Sequence, residues 1–313
     1  MQLENILQKI DSINTEYIKK AKNKTSKLIM PYRAMGFLHT ISEQICGITR
    51  NLNPNIEKAA LFIMVGDHGV VEEGVSQYPQ SITLEMVKSF IRGKATSTVL
   101  TKSLKIKTII TDIGMKENFQ KPTFSNDNIF YLCRKIKAGT NNFRLQKAMS
   151  ISDAEKSIKT GFEITDKFIK KYNINLIATG DMGIGNTTPS TAIASVILEK
   201  DPREITGRGS LIDGKTLERK IEIIDEAIKK HNPNKKDGID VLSKIGGFEI
   251  GGLTGVILAG CYNKIPIIID GVVSTAAALI ATTLKKEINN YLLAGHLSSD
   301  KSHKYMLEYL KLK

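Results

Sequence analysis

The chain has no tryptophan, and its three cysteines, Cys46, Cys133 and Cys261, stand far apart without C-x-x-C spacing. An odd, scattered set argues against a disulfide framework and against a zinc site, which leaves structural thiols. No stretch is long and uncharged enough to span a bilayer. The amino terminus, MQLENILQKIDSINTEYIKKAKNK, is polar and amphipathic and lacks the apolar core of a signal peptide. Cytoplasm is the expected location. The aromatic–basic alternation of an RNA-binding strand is also missing, so the formal charge of +13 reads as a lysine-rich solvated surface. Nucleic acid is not an expected partner, although a scattered charge excess leaves weak association open.

What is present describes an ordinary soluble protein: 313 residues, 41% hydrophobic and 25% charged, enough chain to bury a sizeable core in one large domain or two smaller ones. Residues 209–216, GSLIDGKT, match the phosphate-loop pattern G-x-x-x-x-G-K-[ST]. That pattern cradles phosphate only where a buried strand runs into the first glycine and a helix follows the Lys-Thr pair. The preceding DPREITGR carries Pro202, acids and arginines, with no apolar run that could be such a strand. The following TLERKIEIIDEAIKK is helical, with Leu217, Ile221, Ile224 and Ile228 on one face. Nucleotide hydrolysis is therefore not expected.

Apolar runs alternate with helical periodicity along the chain, the pattern of parallel βαβ units. The runs are AALFIMVG (59–66), KTIITDIG (107–114), NIFYLC (128–133), INLIATGD (174–181), IPIIIDG (265–271) and NYLLAGH (290–296). One mostly parallel sheet flanked by helices is expected over 51–299, with a small helical lobe from 1–50 and 300–313. At the carboxyl ends of the runs stand GDHG, DIG, GDMGIGNTT, DGVVS and AGHLSS. Ligands of open parallel sheets bind at those ends, and Gly with Asp, His, Ser or Thr is the kit for bringing backbone close to an anion, although Gly and Asp also mark any turn. The sharpest segment is ATGDMGIGNTTPSTA, where Gly180, Gly183 and Gly185 precede a helix that Thr187 or Thr188 can cap, with Pro189 suited to its first position. A helix amino terminus of this kind is a ready phosphate site. The glycine spacing is not G-x-G-x-x-G, so no nicotinamide dehydrogenase is indicated.

From about residue 30 to the end the chain resembles the nicotinate-nucleotide–dimethylbenzimidazole phosphoribosyltransferase family of cobalamin nucleotide-loop assembly. The resemblance rests on GDHGVVEEGVSQYPQSIT (66–83), GDMGIGNTTPSTA (180–192), TGRGSLID (206–213), DGIDVLSKIGGFEIGGLTGVILAG (237–260), PIIIDGVVSTAAALIA (266–281) and AGHLS (294–298). It implies a Rossmann-like sheet, a small helical domain built from both termini, a homodimer, and a reaction without metal or cofactor. In that reaction 5,6-dimethylbenzimidazole displaces nicotinate at C1′ of nicotinate mononucleotide with inversion, giving α-ribazole phosphate. The residues fit a ribosyl transfer, which needs a held phosphate and charge stabilisation at an oxocarbenium-like centre. The GKT letters become incidental.

Carried over position by position, the resemblance implies that Asp181 stands near the ribose where the family has an acid, usually Glu, and that Lys220 matches the active-site lysine. Gly180, Gly183, Gly185, Asn186 and Thr187 would line ribose and phosphate, with Gly207, Gly209, Ser210, Gly271, Ser274 and Gly295 closing the anion site. Tyr78 and Met86 match the positions around the aromatic base, where an aromatic face and a thioether grip by area. Bland readings stand beside these: Lys220 as a solvated helix lysine, Asn186 and Thr187 as caps, Met86 as core. His68 with Glu72 suggests a metal pair, but with no third ligand at suitable spacing a turn histidine is the expectation. Two departures from the family pattern stand out. MPYRAMG (30–36) replaces the family's K-P-x-G-S-L-G, and the sequence stops at KSHKYMLEYLKLK, short of the Gly-Glu-Gly stretch whose glutamate is the family's general base. Slow turnover is the resulting expectation, the alternative being a non-catalytic or partner-dependent nucleotide-binding homologue.

Overall fold

The computed structural model describes residues 2–119, 124–125, 128–209 and 213–313. Three helices, α1 (Leu3–Gln8), α2 (Thr15–Thr25) and α3 (Phe37–Thr49), precede the first strand, β1 (Ala59–Gly66). There follow α4 (Ile82–Ile91), α5 (Thr96–Ser103), β2 (Lys107–Gly114), β3 (Phe124–Ser125), β4 (Ile129–Cys133), α6 (Ile151–Tyr172) and β5 (Leu176–Met182). The remainder runs α7 (Thr187–Leu198), α8 (Pro202–Ile205), α9 (Gly214–His231), α10 (Gly238–Ile245), α11 (Phe248–Tyr262), β6 (Ile267–Ile269), α12 (Val272–Leu284), β7 (Leu292–Ala294) and α13 (Lys301–Tyr309).

The seven strands form one sheet in the order β3-β4-β2-β1-β5-β6-β7. All pairs are parallel except the short β3–β4 pair, a two-residue antiparallel edge that the apolar pattern does not announce. Side chains alternate across it as a two-residue period requires. Phe62 and Met64 of β1, with Ile109 and Ile113 of β2, enter the larger apolar cluster beneath the sheet. Ile63 and Val65, with Ile110 and Tyr131, enter a second cluster under α4 on the other face. The central helix of the larger side, α11, is buried along its whole length up to Cys261 and packs on α6, α12 and β1. The terminal segments join that cluster through Leu3, Ile6, Ile10, Met306, Leu307 and Leu310, each worth about 1.5–3 kcal/mol when fully buried.

From β1 the chain steps outward through β2 to β4 on one side and through β5, β6 and β7 on the other. The order reverses between β1 and β5, and the carboxyl ends of those neighbours diverge into a crevice, the place where doubly wound sheets bind ligands. Met64 of β1 faces Asp181 of β5 across that line.

Candidate active site

The residues after β5 make the first wall of the crevice. A Cβ on Gly183 would sit 2.0 Å from the carbonyl oxygen of Gly66, so only glycine lets this turn lie on the end of β1. Gly185 has φ +86, a left-handed conformation that costs other residues. The Ile184 N–H donates to Thr83 Oγ1 at 3.2 Å, and that hydroxyl donates to Asp67 Oδ1 at 2.7 Å, which ties the turn to α4 and β1. The following helix, α7, begins at Thr187, so Thr187 and Thr188 are its first two residues and not caps, and Pro189 is third, still among the positions whose N–H lacks an intrahelical acceptor. Asn186 occupies the cap position without a side-chain capping bond. Its Nδ2 instead donates to Asp181 Oδ2 at 2.8 Å and orients that carboxylate.

A cavity of about 180 Å³ opens there, lined by Tyr78, Asp181, Gly183, Gly185, Asn186, Thr187, Arg208 and Lys220, among others. Lys220 reaches its floor from α9 and is only 1% exposed. Its ammonium donates to Thr187 Oγ1 at 2.9 Å and to the Gly207 carbonyl at 3.5 Å, and among the described residues it makes no ion pair. Burial pushes this amine down to about 8, with the Asp300 carboxylate opposing the shift. Burial pushes Asp181 up to about 7, aided by the negative charges of Asp270 and Glu249 and opposed by the Asn186 hydrogen bond and His68.

Asp181 also borders a second cavity, of about 320 Å³, with Leu61, Ile63, Phe90, Ala178 and Ile268 as its apolar side and Asp270 and His296 at its rim. Gly180 and Gly295 lie here, and Gly271 sits beside the His296 ring. Two carboxylates make this side unsuited to an anion. Ser274 is fully buried on α12, its hydroxyl without a hydrogen-bond partner among the described residues. Met86 packs against the apolar cluster that holds Val87 and Phe90, alongside Met182. Gly207 presses against the Asp300 carboxylate, and Gly209 lies over Thr187 and Lys220. Ser210 lies outside the described residues. No strand among the described residues leads into the GSLIDGKT segment; α8 and an extended stretch do, and Asp213 caps α9 by accepting from Thr216 N–H at 2.8 Å.

His68 departs from the expected turn histidine. It is fully buried, with Nε2 2.8 Å from Glu249 Oε1 on the first turn of α11, while Glu72 reaches toward Lys116. Burial disfavours the imidazolium, but Glu249, with Asp67 and Asp181 behind it, prevails and raises the histidine's proton affinity. Among the described residues no group of three or more His, Cys, Asp or Glu is placed to hold a metal.

Comparison with known proteins fits this architecture. A model of a phosphoribosyltransferase family matches residues 10–313. The nicotinate-nucleotide–dimethylbenzimidazole phosphoribosyltransferase of Alkaliphilus metalliredigens (strain QYMF) is 40% identical over 96% of this chain and 84% of its own length. The chain belongs to the nicotinate-nucleotide–dimethylbenzimidazole phosphoribosyltransferase family. The enzyme of that name from Desulforudis audaxviator (strain MP104C) is 38% identical over 99% of this chain and 86% of its own. A crystal structure of the Thermus thermophilus protein superposes with a TM-score of 0.88 at 30% identity, covering 96% of this chain and 87% of that one. The TM-score shows that this phosphoribosyltransferase shares the fold of that solved structure.

Within this phosphoribosyltransferase the motif reading passed over Glu249, Asp270, His296 and Arg208. Glu249 had a signal: it is the one charged residue in FEIGGLTGVILAGCY, an otherwise uncharged run. Asp270 and His296 stood in quoted strand-end segments, and Arg208 between two glycines assigned to the anion site.

Proposed function

We propose that this chain transfers the 5-phosphoribosyl group of nicotinate mononucleotide to 5,6-dimethylbenzimidazole, giving α-ribazole 5′-phosphate and nicotinate. The observation that carries the proposal is Lys220: a buried ammonium that makes no ion pair among the described residues, at the floor of a glycine-lined pocket against the amino terminus of α7. That arrangement suits a phosphate, since the first N–H groups of a helix lack internal acceptors and the helix dipole favours an anion. With the phosphate on Lys220, Thr187 and the 183–187 turn, the ribose extends toward Asp181.

The azole nitrogen forms a bond to C1′ as the bond from C1′ to the pyridinium nitrogen breaks, its electron pair leaving with nicotinate. The azole ring proton is released as the new bond forms. Asp181, ionised, faces the positive charge that develops at C1′, and such fixed charge is worth most where water is excluded. Tyr78, 51% exposed at the pocket mouth, offers a flat face to the base. Met86, which packs with Met182 on the cluster of Val87 and Phe90, belongs to the same base-binding proposal, as do Gly271, Ser274 and Gly295 on its far side. Incubation with both substrates and chromatographic detection of α-ribazole 5′-phosphate tests the proposal. No product, together with no calorimetric binding of nicotinate mononucleotide, overturns it.

A homodimer is part of the proposal, supported by the apolar side chains exposed on one segment: Leu28, Ile29, Met30, Tyr32, Met35, Phe37 and Leu38. Light scattering on the purified chain tests it. A helical lobe of residues 1–50 and 300–313 is likewise proposed; the packing of α2 against α3 supports its first part, whereas α13 packs on α7 and α12 of the larger unit. Among the described residues no helix is long and apolar enough to cross a membrane, and a cytoplasmic setting is proposed for cell fractionation to test. Nucleic acid is left out of the proposal because many lysines are spent on carboxylates one turn away, as in Lys170–Asp166, Lys200–Glu204 and Lys229–Asp225.

A further inference from the structure

Arg208 is an exposed arginine on the wall of the Lys220 pocket, and among the described residues it has no hydrogen-bond or ion-pair partner. Other arginines of the surface are used differently. Arg203 pairs with Glu218 at 3.0 Å, Arg144 with Glu73 at 2.6 Å and Glu226 at 2.8 Å, and Arg33 with Glu43 at 3.0 Å. Arg208 is carried by a segment that crosses directly over the buried lysine. On one side Gly207 accepts from Lys220 Nζ through its carbonyl and rests on the Asp300 carboxylate. On the other, Gly209 has φ +52, and a Cβ there would stand 3.0 Å from Thr187 Oγ1 and 3.7 Å from Lys220 Nζ. The guanidinium therefore starts from backbone within one residue of the groups proposed to bind the anion, on a segment where a side chain at position 207 would meet the Asp300 carboxylate and the left-handed φ at position 209 favours glycine.

We propose that Arg208 is the second cation of the phosphate subsite, closing over a phosphomonoester whose inner oxygens sit on Lys220 and the start of α7. This rests on the reading of that pocket given above and adds a residue to it. The division of labour follows from the two side chains. A buried ammonium is a fixed point charge at the floor, while a guanidinium presents a planar fork of donors that can engage two phosphate oxygens from the open side. A phosphate dianion held by Lys220 alone would keep excess negative charge, and the two aspartates near the ribose would oppose it; a rim arginine supplies the missing charge. The consequence is selectivity for 5′-phosphorylated ligands.

The test uses the full chain and reads binding, so it does not depend on turnover. Calorimetry gives the Kd of nicotinate mononucleotide, and displacement gives the Kd of inorganic phosphate, for the wild type, Arg208→Ala, Arg208→Lys and Lys220→Met, with Arg203→Ala as the surface control. Arg208→Ala is expected to weaken both ligands in parallel, by about tenfold to a hundredfold, Arg208→Lys to recover part of the loss, and Arg203→Ala to match the wild type. Unfolding midpoints should agree with the wild type for both Arg208 variants, since the side chain is exposed. Unchanged affinity in Arg208→Ala overturns the proposal, and so does a loss for the nucleotide without a loss for phosphate, which would move Arg208 to another part of the ligand. If Lys220→Met weakens both ligands while Arg208→Ala does not, the phosphate pocket stands and only the arginine's role falls. If Lys220→Met also binds like the wild type, the pocket reading itself fails.

Discussion

His68 and Glu249 bury an imidazole and a carboxylate against each other under the carboxyl end of β1, whereas Lys220, just as deeply buried a short way along the same crevice, makes no ion pair among the described residues: it donates to a hydroxyl and a carbonyl, with the Asp300 carboxylate acting on it from farther off. Both centres cost desolvation. In the first the cost is met inside the fold, since each group is the other's counter-charge and Gly66 and Gly247 leave no room for another side chain beside the carboxylate. In the second it is left standing. The fall of Lys220 from 10.5 to about 8 corresponds to roughly 3 kcal/mol against keeping the ammonium. The first pair reads as architecture, and the proposed function takes the second charge, at a pocket floor without an ion pair among the described residues, as one held ready for a ligand. Perturbed groups of the second kind mark functional sites.

The largest effect should come from breaking the compensated pair. His68→Leu leaves Glu249 buried and unpaired, and should cost about 3–5 kcal/mol in denaturant unfolding. The measurement belongs near pH 6: a histidine raised from 6.5 contributes its full stabilisation below that value and loses it as pH climbs through the higher folded value. The double variant His68→Leu/Glu249→Leu should recover much of the loss, because two apolar residues need no counter-charge. Equal losses in the single and double variants would mean that the pair is not what holds these segments together.

A smaller effect is expected at Asp181, which feels His68 and Glu249 and lines the same cavity as Lys220. The rate should need Asp181 ionised and Lys220 protonated, so kcat/KM should rise through about pH 7 and fall through about pH 8. Asp181→Asn should lower kcat/KM by about a hundredfold and remove the acid limb, leaving the alkaline one. Persistence of the acid limb in the variant would assign it elsewhere. The smallest effect belongs to Lys215, the lysine of the phosphate-loop look-alike, which is exposed at the start of α9. Lys215→Ala should change stability by no more than about 0.5 kcal/mol and leave nucleotide affinity as it was. A loss matching that of Lys220→Met would revive the motif.

The sheet was legible wherever a strand is buried on both faces. AALFIMVG and KTIITDIG coincide with β1 and β2 to the residue, because central parallel strands are continuous apolar runs. Toward the edge the same reading overreaches: IPIIIDG yields only Ile267–Ile269, since β6 pairs with β5 over just two residues. The short antiparallel β3 has no apolar run to announce it. At the site, residues that act through their own segment could be read, among them the glycines after β5. Contacts between distant segments could not: His68 and Glu249 meet from opposite halves of the chain, a pairing that no local spacing encodes. Asn186 shows the same limit at short range, for a residue type that favours caps is drawn away by the carboxylate five positions earlier.

The contrast between the two buried centres is tested most directly by Lys220→Met, with unfolding and nicotinate mononucleotide binding measured on the same preparation. An uncompensated lysine predicts an unfolding free energy equal to or above that of the wild type, together with an affinity at least about tenfold weaker. A variant that unfolds more easily and binds the nucleotide as tightly as the wild type would contradict it, making Lys220 part of the architecture and leaving the pocket without its anion-binding charge.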